Sequence, residues 1–509
     1  MRIVRSFAAG LVVAAAAACK VGPNFAPPHP TVPQEYAGAN NAGEGGPAPG
    51  PSTVSPPESF WWRQFHDPEL DRLEERAAAG NLDLQAAFLR IVEARVQAQS
   101  ARAQGLPSLG ASASYSREQL GLAGILKSQH LNVTAASPAT DALISSLETP
   151  VNIYQLGFDA SWELDLFGKV RRSVEAADAR SAGAIESRND LLVSLEAEVA
   201  QDYFQLRAGQ MLRQTIIDQI AAQHEVSDLT QNRQQHGLAV ESDVQSARAQ
   251  LSTLESELPP YEQSIATSRH ALAVLTGQTP EAMDAEFGDR GDLPAPPAVI
   301  PVGVPSTLAR RRPDIRESEA ALHAATAQVG VSVASLYPDI SLTGTFGLRN
   351  LSPGYLFDWN SKFYTLGSGV SIPIYQGGAL EANVRLSRAQ AAEATLNYHK
   401  TVLNALQEVE DGLTGLHQDA ARVASLRDTV AADQRSLDVD LDAYRHGLVT
   451  YVTVLTAQIQ MVQAREQLAQ ALLAQNTDLV KLCKALGGGW EEAPTVSDAN
   501  RDLTNAAGH

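Results

Sequence analysis

Only a few residues have types and spacings that could do covalent or acid–base chemistry. Cys19 is one. It follows Arg2, Arg5 and an apolar run from Phe7 to Ala18 that ends in Ala16-Ala17-Ala18. A basic segment, a short apolar segment and small residues before a cut are the parts of a secretory signal, here residues 1–18. The run is too short to span a membrane as a helix. A cysteine at that junction matches the signal of bacterial lipoproteins and would become the lipidated first residue, with Ala16 where such signals usually carry Leu. The alternative is an ordinary signal that happens to contain a cysteine. Cys483 is the one other cysteine, so no disulfide framework competes for Cys19. Lys20 follows, not the Asp that retains such lipoproteins in the inner membrane.

Nothing else reads as catalysis. His224-Glu225 lacks a second His at metalloprotease spacing, Gly367-Ser368-Gly369 continues as a strand and not as a phosphate loop, and no Ser, His and Asp set has a recognisable context. No enzyme is expected, no cofactor beyond a covalent lipid on Cys19, and no metal site. The formal charge of −19 argues against nucleic acid, which wants a basic footprint.

The elements that must organise the chain are strands first. Tyr154, Leu156, Phe158, Ala160, Trp162, Leu164 and Leu166 alternate with Gln155, Gly157, Asp159, Ser161, Glu163 and Asp165, which gives an extended backbone one apolar and one polar face. The run is long enough to cross a bilayer as a tilted strand. A half-buried strand in a soluble sheet has the same period. Three more stretches repeat the pattern: Leu109 to Tyr115, Ile340 to Leu348, and Leu366 to Ile374. That makes four strands in two hairpins, 108–166 and 339–374. A closed membrane barrel needs about eight strands or more, because an edge left open in lipid strands its backbone groups. One chain therefore cannot close one; two copies would pool about eight strands and three about twelve, a bore wide enough to conduct.

The body is an internal repeat. Asp83 and Asp314, and Pro107 and Pro338, are offset by 231; Gly237 and Gly447, and Gly277 and Gly487, by 210. The boundaries are a leader over 19–57 rich in Pro, Gly, Ala and Ser, a first repeat over 58–290 with long helices over 170–276, a second over 291–490 with long helices over 379–486, and a polar tail over 491–509. Between Ala379 and Arg445, Leu403, Leu406, Leu413, Leu416, Val423, Leu426 and Val430 recur at three, four and seven. Such a narrow stripe suits a coiled-coil wall. A soluble periplasmic coiled-coil scaffold would explain the helices and the charge, but not four amphipathic strands placed between them.

Four blocks in order carry a resemblance: Cys19-Lys20-Val21-Gly22-Pro23-Asn24-Phe25; Trp61-Trp62 with Phe65, Asp67-Pro68 and Leu70; Arg311-Arg312-Pro313-Asp314-Ile315; and Lys484-Ala485-Leu486-Gly487-Gly488-Gly489-Trp490. Over Cys19 to about Trp490 the chain resembles the TolC-like outer-membrane factors of tripartite efflux systems, most closely the NodT and OprM type lipoproteins. The resemblance implies a mixed α and β membrane protein. Its homotrimer would share a twelve-stranded β-barrel, four strands per protomer, continuous with a long α-helical periplasmic barrel. It implies a passive exit duct for small molecules such as drugs, anchored in the outer membrane of a Gram-negative bacterium. The partners it implies are outer-membrane lipid, a periplasmic adaptor and an inner-membrane transporter of RND type; a duct for type I protein or peptide secretion is the alternative. By the same resemblance Gly237 and Gly447 turn the helices at the periplasmic tips, Asp243 and Tyr444 share a hydrogen bond that latches the pore, and Ser242 stands beside that aspartate. The family's tip arginine is Val449 here, and its ring of aspartates falls on Thr453 and Thr456. Cys483 replaces an aromatic and reads as a buried free thiol.

Overall fold

The computed structural model describes residues 20–30, 32–40, 50–52, 59–119, 149–284, 286–288, 291–297 and 299–491. The chain divides into two compact units. One comprises Met1–Ala26, Ala94–Ala179 and His323–Glu393; the other comprises Pro27–Glu93, Arg180–Leu322 and Ala394–His509. In chain order the elements are β1 (Gly50–Ser52), α1 (Pro68–Gly80), α2 (Leu82–Ala103), β2 (Ser108–Glu118), β3 (Val151–Leu164), α3 (Lys169–Gln235), α4 (Glu241–Leu275), β4 (Val299–Pro301), α5 (Pro305–Arg311), α6 (Pro313–Ala334), β5 (Asp339–Asn350), β6 (Lys362–Ser371), α7 (Ala379–Arg445) and α8 (Tyr451–Ala485). The helices come in matched lengths: α2 and α6 have 22 residues, α3 and α7 have 67, α4 and α8 have 35. The leader is not wholly extended, since Ala37–Asn40 forms a short helical turn, and its strand β1 pairs in parallel with β4.

The first unit holds one antiparallel sheet in the order β2-β3-β5-β6. Its register puts Leu109 opposite Ala160, Phe158 opposite Phe346, Trp162 opposite Leu342 and Ile340 opposite Val370, so the apolar residues of all four strands share one face. That face is bare: Leu109 is 74% exposed, Phe158 55% and Leu366 82%. On the other face Asp159 accepts from Ser112 at 2.7 Å and Thr345 at 3.1 Å, and Arg349 donates to Gln155.

Several strand ends differ from the expected ones. β3 stops at Leu164, two residues before Leu166, because the Asp165 carboxylate caps α3, accepting from the amides of Val170 at 3.1 Å and Arg171 at 2.9 Å. β6 starts at Lys362 and stops at Ser371, leaving Ile372 and Ile374 outside the ladder. Pro373 lies between them and has no N–H to give it.

The second unit holds the main core, in which Trp61, Trp62, Phe65, Leu70 and Leu73 pack with Tyr203, Phe204 and Leu479. The Asp67 side chain caps α1, accepting from the amide of Glu69 at 2.9 Å, and it also accepts from the Tyr203 hydroxyl. Cys483 is a buried free thiol, as expected, and burial pushes its pKa up to about 12. Among the described residues no helix is long and apolar enough to cross a membrane.

Candidate functional site

Each pair of long helices reverses at a glycine. Gly237 and Gly447 have φ of +75° and +76°, a left-handed conformation that glycine adopts without Cβ strain. At the first turn the Leu238 amide reaches back to the Arg233 carbonyl and the Gly237 amide to Gln234. At the second, Leu448 reaches Ala443 and Gly447 reaches Tyr444. Both are Schellman closures, which satisfy carbonyls in the last turns of α3 and α7. Leu238 and Leu448 stand exposed at the turns, 67% and 78%.

Beneath the turns lies a small core of Val226, Ala247, Tyr444, Tyr451 and Val454, drawn from α3, α4, α7 and α8. Tyr444 is buried, and its ring lies 6.0 Å from that of Tyr451. Arg233 from α3 donates to the Tyr444 carbonyl at 2.6 Å and the Arg445 carbonyl at 3.3 Å, with its guanidinium 4.8 Å from the Tyr444 ring centre. The Gln223 amide donates to the Ala247 carbonyl at 2.9 Å and is 3.1 Å from the Tyr451 hydroxyl.

The predicted bond between Asp243 and Tyr444 is not the one this tip makes. The Tyr444 hydroxyl donates to Thr230 at 3.2 Å, and Thr230 in turn donates to the Val226 carbonyl four residues back. Asp243 is half-buried near the start of α4; its amide donates to the Val240 carbonyl, and within the chain its carboxylate accepts no hydrogen bond from the described residues. Its charge reaches Tyr451. Burial first of all raises the Tyr451 pKa, the Gln223 bond opposes this, and the nearby Tyr444 and Asp243 add to it. Ser242 is exposed. Val449 packs partly buried against the tip core, while Thr453 and Thr456 are exposed on α8. Thr230, Arg233, Gln223 and Tyr451 were not singled out from the sequence. Polar residues at core positions near the end of α3 and the start of α8 are the signal that would have found them.

Cys19 lies outside the described residues, but its neighbours are held firmly. The Val21 amide donates to the Phe167 carbonyl at 3.2 Å. The fully buried Arg172 donates to the carbonyls of Val21 and Gly22 and to the Asn24 side chain. Lys20 pairs with Glu175, which also faces Arg172 and His323, and the His323 ring stacks on Phe25 at 4.3 Å. Although Glu175 is partly buried, these donors hold its pKa down at about 2. Residue 20 is thereby fixed at the turn between β3 and α3.

Two other blocks meet in space. Arg312 is buried and bonds Asp314 at 3.0 and 2.7 Å, Glu408 at 2.6 Å and the Ala485 carbonyl at 3.0 Å; the Trp490 indole donates to the Arg311 carbonyl at 2.8 Å. In the first half Asn81 does the matching work with an amide, donating to the Leu275 carbonyl at 3.0 Å and accepting from the Leu84 amide.

The profile described as outer membrane efflux protein matches residues 73–278 and 304–488 of this chain. The chain belongs to that family. It is 32% identical over 451 residues, 88% of this chain and 89% of the relative, to the antibiotic efflux pump outer membrane protein ArpC of Pseudomonas putida. It is 29% identical over 500 residues, 96% of both, to nodulation protein T of Rhizobium leguminosarum bv. viciae. The outer-membrane channel OprN superposes with a TM-score of 0.81 at 30% identity, over 93% of this chain and 100% of its own. The efflux protein is thus an outer-membrane transport component and not an enzyme.

Proposed function

We propose that this efflux protein is the exit duct of a tripartite pump. Three copies pool their strands into a twelve-stranded barrel in the outer membrane, and their long helices continue it as a tunnel through the periplasm. The observation that carries this reading is the sheet: a bare apolar face, and two edges, β2 and β6, with no partner strand among the described residues. Such a sheet cannot stand alone in lipid. Seams for neighbouring copies are also available. Leu82, Leu89 and Val96 lie seven apart and exposed along α2, and Leu396 and Leu403 do so along α7.

Cys19 carries the lipid, and the clamp on Lys20 to Phe25 holds that anchor at the end of the sheet where the helices begin. A periplasmic adaptor meets the tips at Leu238 and Leu448, and an RND-type inner-membrane transporter supplies the energy. The cargo is small molecules, the class for which the antibiotic efflux relative is named. At the gate, Tyr444 ties this chain's own helices together, while Asp243, with Ser242 beside it, is left to contact a neighbouring copy.

The test is single-channel conductance of detergent-purified protein in a planar bilayer, with light scattering for the copy number. Trimers that insert with a small, mostly closed conductance, and that open more in Asp243→Ala with Tyr444→Phe, are expected. Protein that stays monodisperse without detergent and never inserts would replace the duct with a soluble scaffold.

A further inference from the structure

Charge is not spread evenly over the sheet. The register puts Glu118, Asp159, Glu163 and Asp339 on the polar face together with Arg349, which bonds Gln155 and lies over Phe363 at 4.6 Å. The apolar face carries no carboxylate on any of its four strands. It carries two cations. Arg117 stands opposite Asn152, two residues past the Tyr115 and Tyr154 pair, and Lys362 stands opposite Leu348 as the first residue of β6. Both are exposed, and neither has a carboxylate partner among the described residues. Both lie at the hairpin end of the sheet, away from the Gly168 turn where Lys20 is clamped.

Aromatic rings lie just inside them. Tyr115 and Tyr154 are 5.0 Å apart, Tyr364 is 75% exposed, and Trp359 sits 6.4 Å from Phe346 with the Lys362 ammonium 4.9 Å above its ring. Along the two edge strands the order from the middle outward is aliphatic, aromatic, cationic: Ala113, Tyr115 and Arg117 on β2, and Leu366, Tyr364 and Lys362 on β6. That order matches acyl chains, interface and headgroup. A lipid-facing Lys or Arg is strongly disfavoured at mid-depth and tolerated near the interface, so cations placed only at the rim are placed where an anion can meet them.

We propose that Arg117 and Lys362 form a phosphate site for the phosphorylated glycolipid of the outer leaflet. The proposal rests on the trimeric barrel. Arg117 lies on edge strand β2 and Lys362 on edge strand β6, so ring closure sets β6 of one copy beside β2 of the next. One cation from each copy then shares a seam, three times around the barrel. Guanidinium and ammonium together supply the fork and the point charge that a phosphomonoester takes. The outer leaflet is the source because the hairpin end faces away from the periplasmic helices.

The experiment uses full-length protein in mixed micelles of phosphatidylcholine with diphosphoryl lipid A, or with lipid A stripped of both phosphates. Lipid retained per trimer is measured by mass spectrometry. Wild type is expected to retain the diphosphoryl form, and Arg117→Ala with Lys362→Ala to retain roughly tenfold less, with unchanged conductance. Equal retention of the two lipids by wild-type trimers, or equal retention by variant and wild type, overturns the site and leaves the barrel standing. In a second arm, Arg117→Cys with Lys362→Cys is treated with a bismaleimide. Bands up to a trimer are expected; if light scattering shows a trimer and no inter-copy band forms, the shared seam is wrong. A wild type that scatters as a monomer sinks the barrel reading first, and the seam with it.

Discussion

Helices α7 and α8 are fastened twice, at the Arg312 joint near Ala485 and at the Tyr444 tip, and the two fastenings are made of different chemistry. The joint is a buried guanidinium with two carboxylates and a backbone carbonyl on it. The tip is two phenols, one amide and one arginine that reaches only carbonyls and a ring face. Charge-assisted bonds are roughly twice as strong as neutral ones, and only the joint pairs its cation with carboxylates. The joint is therefore built to stay closed, and the tip from bonds that an outside contact can outweigh. Moving parts are expected at the low-stability end of a structure.

The largest effect should come from the joint. Arg312→Ala leaves Asp314 and Glu408 facing each other without their cation; since Glu408 is 54% exposed and can rehydrate, we expect about 3 kcal/mol of destabilisation, the low end for breaking a buried pair. Chemical unfolding followed by tryptophan fluorescence would measure it. A loss no larger than that of a tip mutation would erase the contrast between the fastenings.

Next is a carboxyl that the main core leaves without a partner among the described residues. Glu74 is buried with no hydrogen bond to either carboxylate oxygen, and its pKa is raised well above the usual range, by burial first and then by Glu196 and Asp71. Because the folded value is raised, the stability linked to this proton is complete below the unfolded value and is lost as pH rises through the folded one. Wild type should lose stability as pH rises from the usual carboxyl range through the raised folded value, and Glu74→Gln should flatten the curve, gaining about 1–2 kcal/mol at the alkaline end. Parallel thermal melts across that range would refute the assignment. Third comes Asn81→Ala, the amide counterpart of Arg312, at about 1–2 kcal/mol by the same unfolding assay. A cost equal to that of Arg312→Ala would mean that charge adds nothing to the joint.

The sheet was legible in the sequence because strand period is local: Tyr154 to Leu164 announces both its faces, and Asp165 and Pro373 cut short the ends of β3 and β6. The helix turns were legible for the same reason, since a glycine after a long periodic run leaves little choice. The fastenings were not. Arg312 and Ala485 lie 173 residues apart, and Thr230 and Tyr444 lie 214 apart, so neither pairing leaves a spacing to read. Resemblance supplied a partner for Tyr444, Asp243, that the packing of this chain does not use. Thr453, the residue 210 positions after Asp243, carries no acid, so the two tips are not equivalent in charge.

The tip can be sharpened with smaller changes. Tyr451→Phe removes the hydroxyl that accepts from the Gln223 side-chain amide, whose oxygen already lacks a partner among the described residues, and should cost about 1 kcal/mol in the same assay. Tyr444→Phe should cost less, because Thr230 keeps its bond to Val226. Thr230→Val tests this from the other side: if it and Tyr444→Phe are fully additive, the two hydroxyls do not bond.

Asp243→Ala should be the quietest of all in stability and the most informative in conductance. Its carboxylate is half-exposed and accepts no hydrogen bond from the described residues of its own chain, so its loss should change unfolding by less than about 0.5 kcal/mol. If it contacts a neighbouring copy, closed trimers should nonetheless open more often, and Asp243→Asn should reproduce part of that rise by keeping shape without charge. A rise in conductance with no change in stability places the gate between copies. A stability loss as large as that of Tyr451→Phe would place it back inside the chain, with Asp243 acting on the Tyr451 phenol.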